Sequence, residues 1–201
     1  MKSLTRYIIE GLKNEYKKWL QNVLNSQLSL VKDNKVQPLT VDIQNLNKPE
    51  KSFLYDDFVN DPIVKKIIGN KQTGFVVTNQ IVRNPNQYIK DEDKKFNSEC
   101  LPYWYQDGNN IYMVGICIYD KTVSYVDDFV HIISIESSLA IEDSVELNKA
   151  IVNDFIKFIQ KDNNVTGLSA KPKHPKMKAI LQKIGFNELE DNKEILTYKY
   201  K

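Results

Sequence analysis

Between Leu4 and Val31 apolar residues recur every three or four positions: Leu4, Ile8, Leu12, Tyr16, Trp19, Leu20, Val23, Leu24, Leu28 and Val31. That spacing predicts one long amphipathic helix, capped by Ser3, with Lys13, Glu15, Lys17 and Lys18 on the opposite face. From 32 to 51 the text turns polar, and Pro38 and Pro49 bracket one candidate strand over 39–43. Residues 53–68 read as two short helices broken at Asp61-Pro62. A strand over 73–82 and a charged loop over 84–99 follow. The period then shortens to two: strand 100–105, the turn Gln106–Asn110 and strand 111–119 read as a hairpin. A further strand pair is expected over 123–141, including the long run 129–141. Helical spacing returns over 147–159, then come strand 165–170, helix 175–184 and a closing strand over 195–200.

This order, a helix, then mostly antiparallel strands, then strand–helix–strand–helix–strand, predicts an α+β fold with a mixed sheet flanked by helices. Apolar residues make up 41% of the 201 residues, enough for a real core. Lys plus Arg is 28 against 26 for Asp plus Glu, so no basic excess points to a nucleic-acid partner. No apolar stretch approaches the ~20 residues of a membrane span, and a soluble, cytoplasmic protein is expected. Cys100 and Cys117 are read as reduced thiols, with Cys117 a small buried hydrophobe inside the apolar run 113–118. No metal-ligand cluster, phosphate-binding glycine loop or nucleophile–base spacing is present.

The stretch from His174 to Phe186, HPKMKAILQKIGF, carries a polar start, a short amphipathic helix and a Gly-Phe stop. With the preceding strand–helix–strand order it resembles the GNAT superfamily of acetyl-CoA-dependent N-acetyltransferases. The resemblance covers roughly residues 36–201 and is specific from about Met113 onward. It implies a GNAT-like domain over 36–201, with residues 1–35 an additional amphipathic helix. It further implies that the strand over 129–141 ends at a cofactor loop, that strand 165–170 splays away from it, and that Gly185 turns the chain while Phe186 anchors it.

If the resemblance extends to acetyl-CoA, the cofactor is held through the backbone of Leu139, Ile141, Ser144, Val145, Glu146 and Leu147. The family's loop, Gln/Arg-x-x-Gly-x-Gly/Ala, lets backbone N–H groups approach a pyrophosphate at a helix N-terminus. Here the matching text, Glu142-Asp143-Ser144-Val145-Glu146-Leu147, holds three carboxylates and no glycine. Carboxylates there stabilise the helix itself and repel a phosphate, so this helix is expected to cap itself. The family's tyrosine, which protonates the departing thiolate, falls on Leu181, and its asparagine falls on His174. Leucine has no proton to give. Glu136 is the candidate general base and His174 a candidate donor, the latter equally a plain helix-entry residue. His131 shares a strand with Glu136, and strict alternation would point the two to opposite faces.

Two functional readings follow: a GNAT-like domain with a degraded acyl-CoA site that acts as a binding or structural protein, or an active acetyltransferase with an atypical loop. The apolar face of the N-terminal helix docks either on the chain's own core or on a partner, which includes self-association. Residues Ile8–Gly11 also resemble the cleavage consensus of head-maturation proteases in some tailed bacteriophages. That resemblance implies a processing site after Glu10 and a virion component.

Overall fold

The computed structural model describes residues 4–68, 71–75, 98–122 and 125–200, with side chains of the first helix described from Lys13. Five α-helices are among them: α1 (Leu4–Ser29), α2 (Tyr55–Asn60), α3 (Pro62–Ile67), α4 (Ser144–Ile159) and α5 (Pro175–Ile184). The strands are β1 (Val31–Lys32), β2 (Lys35–Val36), β3 (Phe53–Leu54), β4 (Glu99–Asp107), β5 (Asn110–Asp120), β6 (Phe129–Ser137), β7 (Gly167–Ala170), β8 (Asn187–Leu189) and β9 (Asn192–Lys199). A seven-stranded sheet runs in the order β3-β4-β5-β6-β7-β9-β8. All its neighbours are antiparallel except β6 and β7, which the α4 crossover makes parallel. The fold is therefore α+β, a mixed, mostly antiparallel sheet flanked by helices, as expected.

Each face of the sheet buries its own core. One face packs Leu147, Ile151, Val152 and Phe155 of α4 over Val114, Cys117, Val130, Ile135 and Leu168. The other packs Leu20, Val23 and Leu24 of α1, with α2 and α3, over Cys100, Met113, Ile116 and Ile118. Both cysteines are buried and unbonded, and they sit on opposite faces. Asp61 separates α2 from α3 by accepting from the N–H groups of Ile63 and Val64, with Pro62 at the first helical position.

Several expected elements differ. The strand over 39–43 is an isolated parallel bridge of Leu39 with Ile141, followed by a 3₁₀ turn at Ile43–Asn45. Only one strand, β6, occupies the described part of 123–141. The closing strand is a hairpin, β8–β9. Val31 leaves the helix for the β1–β2 hairpin, whose turn is Asp33-Asn34, both at positive φ. An Asp-Asn pair between two short runs is a signal for such a turn. Most of the strand expected at 73–82 and of the loop at 84–99 lies outside the described residues.

The apolar stripe of α1 is corrected in detail. Leu20, Val23 and Leu24 are buried in the chain's own core and cannot serve a partner, Trp19 is half-buried against Trp104, and Tyr16 and Leu28 are exposed. The side chains of Leu4, Ile8, Glu10 and Leu12 lie outside the described ones. Where Leu28 was expected, the buried positions are Ser26 and Gln27. Gln27 is wholly buried: its Oε1 accepts from the Met113 N–H (3.1 Å), and its Nε2 donates to the Thr73 carbonyl (3.0 Å). Removing one partner from a buried hydrogen bond leaves the other group desolvated and unpaired, a cost of ~1–3 kcal/mol. Gln27→Met should therefore destabilise the fold by about 2 kcal/mol, because the Met113 N–H loses its acceptor at nearly constant volume. Urea unfolding checks this, and an unchanged midpoint would show that Gln27 does not tie α1 to β5.

Candidate functional site

The pairing of β6 with β7 starts at Phe129–Gly167 and ends at Ile132–Ala170, while β6 continues to Ser137. Beyond Ile132 β6 has no partner in β7, which ends at Ala170; this is the place where the resemblance implies a splay. β6 also carries a bulge: Ile118 faces Ser134 and Tyr119 faces Ile132, leaving Ile133 as the extra residue. The bulge changes which side chains share a face. Cross-strand partners lie on the same side of a sheet. Ser134 and Glu136 face Ile118 and Ile116, and His131 faces Asp120. Ile116 and Ile118 belong to the α1–α3 core, so His131, Ser134 and Glu136 all point to that side. The expectation that His131 and Glu136 oppose each other is thus overturned by one inserted residue.

Sharing a face does not make them a catalytic pair. His131 is 8% exposed, its Nδ1 lies 3.1 Å from the Ser169 Oγ of β7, and its ring meets the edge of Tyr125. Burial lowers its pKa from the usual 6.5 to about 4, against smaller opposing effects of Asp120 and Ser169. It is a neutral core histidine. Glu136 is half-buried, and its Oε1 accepts from the Ser134 Oγ at 2.6 Å. On the same side lies Tyr55, whose buried hydroxyl has no partner among the described residues. Burial first, then the neighbouring Cys100, Asp56 and Glu136, push that hydroxyl well above the usual phenol range.

The second wall of the splay begins at Lys171 and leads to α5. His174 is exposed and caps this helix, its Nδ1 accepting from the Lys176 N–H at 3.2 Å. Its helix-entry role is the one observed. Gly185 ends α5 at φ +114°, with N–H bonds returning to Gln182 and Leu181, and Phe186 is 2% exposed. Leu181 is buried in the core below α4, so the position of the family's tyrosine is apolar in fact as in sequence.

The loop after β6 decides whether a pyrophosphate fits. Leu139 N–H donates to the Gly74 carbonyl, Ala140 N–H to Ser138 Oγ, Ile141 N–H to the Ser138 carbonyl and Glu142 N–H to the Leu39 carbonyl. At the helix start Asp143 accepts from Glu146 N–H through its carboxylate (3.1 Å), and its carbonyl accepts from Leu147 N–H. The expected self-capping of α4 is present. The N–H groups of Asp143, Ser144 and Val145 have no partner among the described residues, and they sit among the exposed carboxylates of Glu142, Asp143 and Glu146. Asn148 Oδ1, the buried unpartnered atom of this helix turn, needs a donor, which a phosphate does not bring. The three carboxylates and the spent donors of 139–142 disfavour an acyl-CoA pyrophosphate at this loop.

Sequence reasoning missed the reason these donors are spent. Gly74, at φ +70°, presents its carbonyl to both Leu139 N–H and Ser138 Oγ, and an added Cβ there would stand 2.9 Å from Val36 Cγ1. The Thr-Gly pair at 73–74 was legible only as a strand start. Its contact partner lies over sixty residues away, and no local signal reports it.

No family model matches the chain, and no curated protein matches it. Solved structures similar to it include the KacTA–DNA complex, at 13% identity over 77% of this chain and 91% of that chain, TM-score 0.46. AtaT complexed with acetyl-methionyl-tRNAfMet is similar at 9% identity over 85% and 91%, TM-score 0.42. AtaTR bound with acetyl-CoA is similar at 11% identity over 78% and 94%, TM-score 0.43.

His131 supplies a pH signature. Its folded pKa lies below the unfolded value, so between pH 6.5 and about 4 the unfolded chain binds the extra proton. Its effect on stability is nil above about pH 6.5 and grows as pH falls towards 4, to a loss on the order of 3 kcal/mol. His131→Asn should flatten this part of the stability–pH curve. An unaltered slope between pH 6.5 and 4 would mean that His131 is protonated at little cost when folded.

Proposed function

We propose that this protein is a GNAT-like domain whose acyl-CoA site no longer works, kept as a binding or structural component. The observation that carries the reading is the loop after β6, where four consecutive N–H groups, Leu139 to Glu142, are spent on protein acceptors. A pyrophosphate needs unpaired donors and a favourable field. Here the field is set by three carboxylates and by the Asp143 cap. The substitution of leucine for the family's tyrosine at Leu181 agrees, since a side chain sealed in the core has neither proton nor access to the splay. The virion part of the reading rests on the Ile8–Gly11 pattern, and a cytoplasmic location on composition.

The second reading, an N-acetyltransferase with an atypical loop, is favoured by one observation. The splay between β6 and β7 is intact, and Glu136 stands on β6 beside it. On that reading the N–H groups of Asp143, Ser144 and Val145 would have to suffice for the phosphates.

Calorimetric titration of the full-length chain with acetyl-CoA, with free CoA alongside, separates the two. The proposed reading expects no saturable heat up to about 1 mM ligand, a ceiling equivalent to some 4 kcal/mol of binding. Micromolar affinity would overturn it. Such a ligand at 100 times its dissociation constant would also raise stability by ~2.7 kcal/mol, so the thermal midpoint provides a second readout.

A further inference from the structure

Where α1 passes the β4–β5 turn, helix and turn enclose a cavity of about 280 Å³ that shares no residue with the loop after β6. Asn22, Asn25, Ser26 and Ser29 form one wall, at the i, i+3, i+4, i+7 spacing of a helix face. Asn109 and Asn110 form the other, at the two-residue turn where Gly108 stands at φ +56°. The walls are tied together. Ile111 N–H donates to Ser26 Oγ at 3.2 Å, and the neighbouring Gln27 holds Met113 N–H.

All six lining residues are polar and uncharged, and most of their hydrogen-bonding capacity is unspent. The side chains of Asn22, Asn109 and Asn110 bond to no other described residue, so each offers donors and an acceptor. Asn25 Oδ1 accepts from Gln21 Nε2 (3.0 Å), which leaves its own Nδ2 donor. Ser29 Oγ donates to the Ser26 carbonyl (2.7 Å), which leaves its acceptor lone pairs. Ser26 is 6% exposed, and while its Oγ accepts from Ile111, its own proton meets no acceptor among the described residues. A buried hydroxyl donor is costly unless paired, and this one lines a cavity where a ligand oxygen can pair it.

A wall without charge gives no counter-ion to a phosphate, a carboxylate or an ammonium. A wall without apolar or aromatic side chains gives a nucleobase or an apolar ring nothing to stack on. Interleaved donors and acceptors instead match groups that do both, and a set of neighbouring hydroxyls is such a ligand. The cavity is just under the ~300–1,000 Å³ of drug-sized clefts, which suits one sugar ring. From the amide-lined cavity and the unspent hydroxyl of Ser26, we propose that α1 and the β4–β5 turn bind a neutral saccharide through one of its rings. The proposal goes beyond the reading above and holds whether or not the loop after β6 takes acyl-CoA.

The full-length chain is titrated in turn with glucose, galactose, mannose and N-acetylglucosamine and followed by amide NMR. At least one sugar should move the signals of residues 22–29 and 109–111 saturably. The dissociation constant expected is on the order of 1 mM, the affinity of an open cavity for about a dozen heavy atoms. No saturable shift there up to roughly 50 mM of any of the four overturns the proposal. Glycerol at the same concentrations should not saturate the site; equal saturation would mean an adventitious polyol only, and would overturn it too. Asn22→Ala and Asn110→Ala each remove an exposed amide that bonds to no other described residue, so the fold should be kept. Binding should weaken about threefold to tenfold in each, the loss of one hydrogen bond. Asn153→Ala, on the exposed face of α4, should bind as the parent does. Unchanged affinity in both cavity variants, or an equal loss in Asn153→Ala, would put the sugar elsewhere and sink the assignment.

Discussion

One relay of buried hydrogen bonds joins the first helix to the loop that would hold a cofactor. Gln27 on α1 takes the Met113 N–H of β5 with one side-chain atom and the Thr73 carbonyl with the other. The next residue, Gly74, gives its carbonyl to Leu139 N–H and Ser138 Oγ at the end of β6. Buried polar groups are costly unless paired, so each link fixes the next. The same relay that docks the N-terminal helix spends the first donor of the loop. A pyrophosphate could recover that N–H only by displacing a carbonyl already seated, with Thr73 and Gln27 behind it.

This explains why the long helix and the altered loop occur together. Residues 36–41 also lie along the loop, where Leu39 bridges Ile141 and Thr40 Oγ1 donates to Glu142 at 2.6 Å. The chain before the sheet thus acts as an internal ligand for a loop that lacks glycine. In such a loop Cβ atoms keep an external anion at a distance, while protein carbonyls, held at fixed positions, need no such approach.

What the sequence made legible were features set within one turn or one strand of themselves. The Gly185-Phe186 stop needs a left-handed residue followed by an anchor, and both are found at φ +114° and 2% exposure. The Asp61-Pro62 break and the carboxylate cap at Asp143 are equally local. Hidden features depend on partners distant in sequence. Gln27 reads as a polar interruption of an apolar stripe until Met113 and Thr73 are beside it, while Leu28, which fits the stripe, is 43% exposed. The candidate site divides in the same way: the missing glycines and Leu181 were readable, and the consumption of donors by Gly74 and Leu39 was not.

The bulge at Ile133 has the largest consequence of these hidden features. By inserting one residue it turns Glu136 to the side of His131, and it sets which backbone groups face β5. Without it, strict alternation from Phe129 would place the free edge groups on Ser134 and Glu136 and carry Ile135 out of the α4 core. With it, Ile135 stays under α4 beside Cys117 while its peptide groups open to the splay. A strand can thus be a core element through its side chains and an unfilled edge through its backbone. That combination is independent of the loop that follows, because the loop and the edge draw on different atoms of the same strand end.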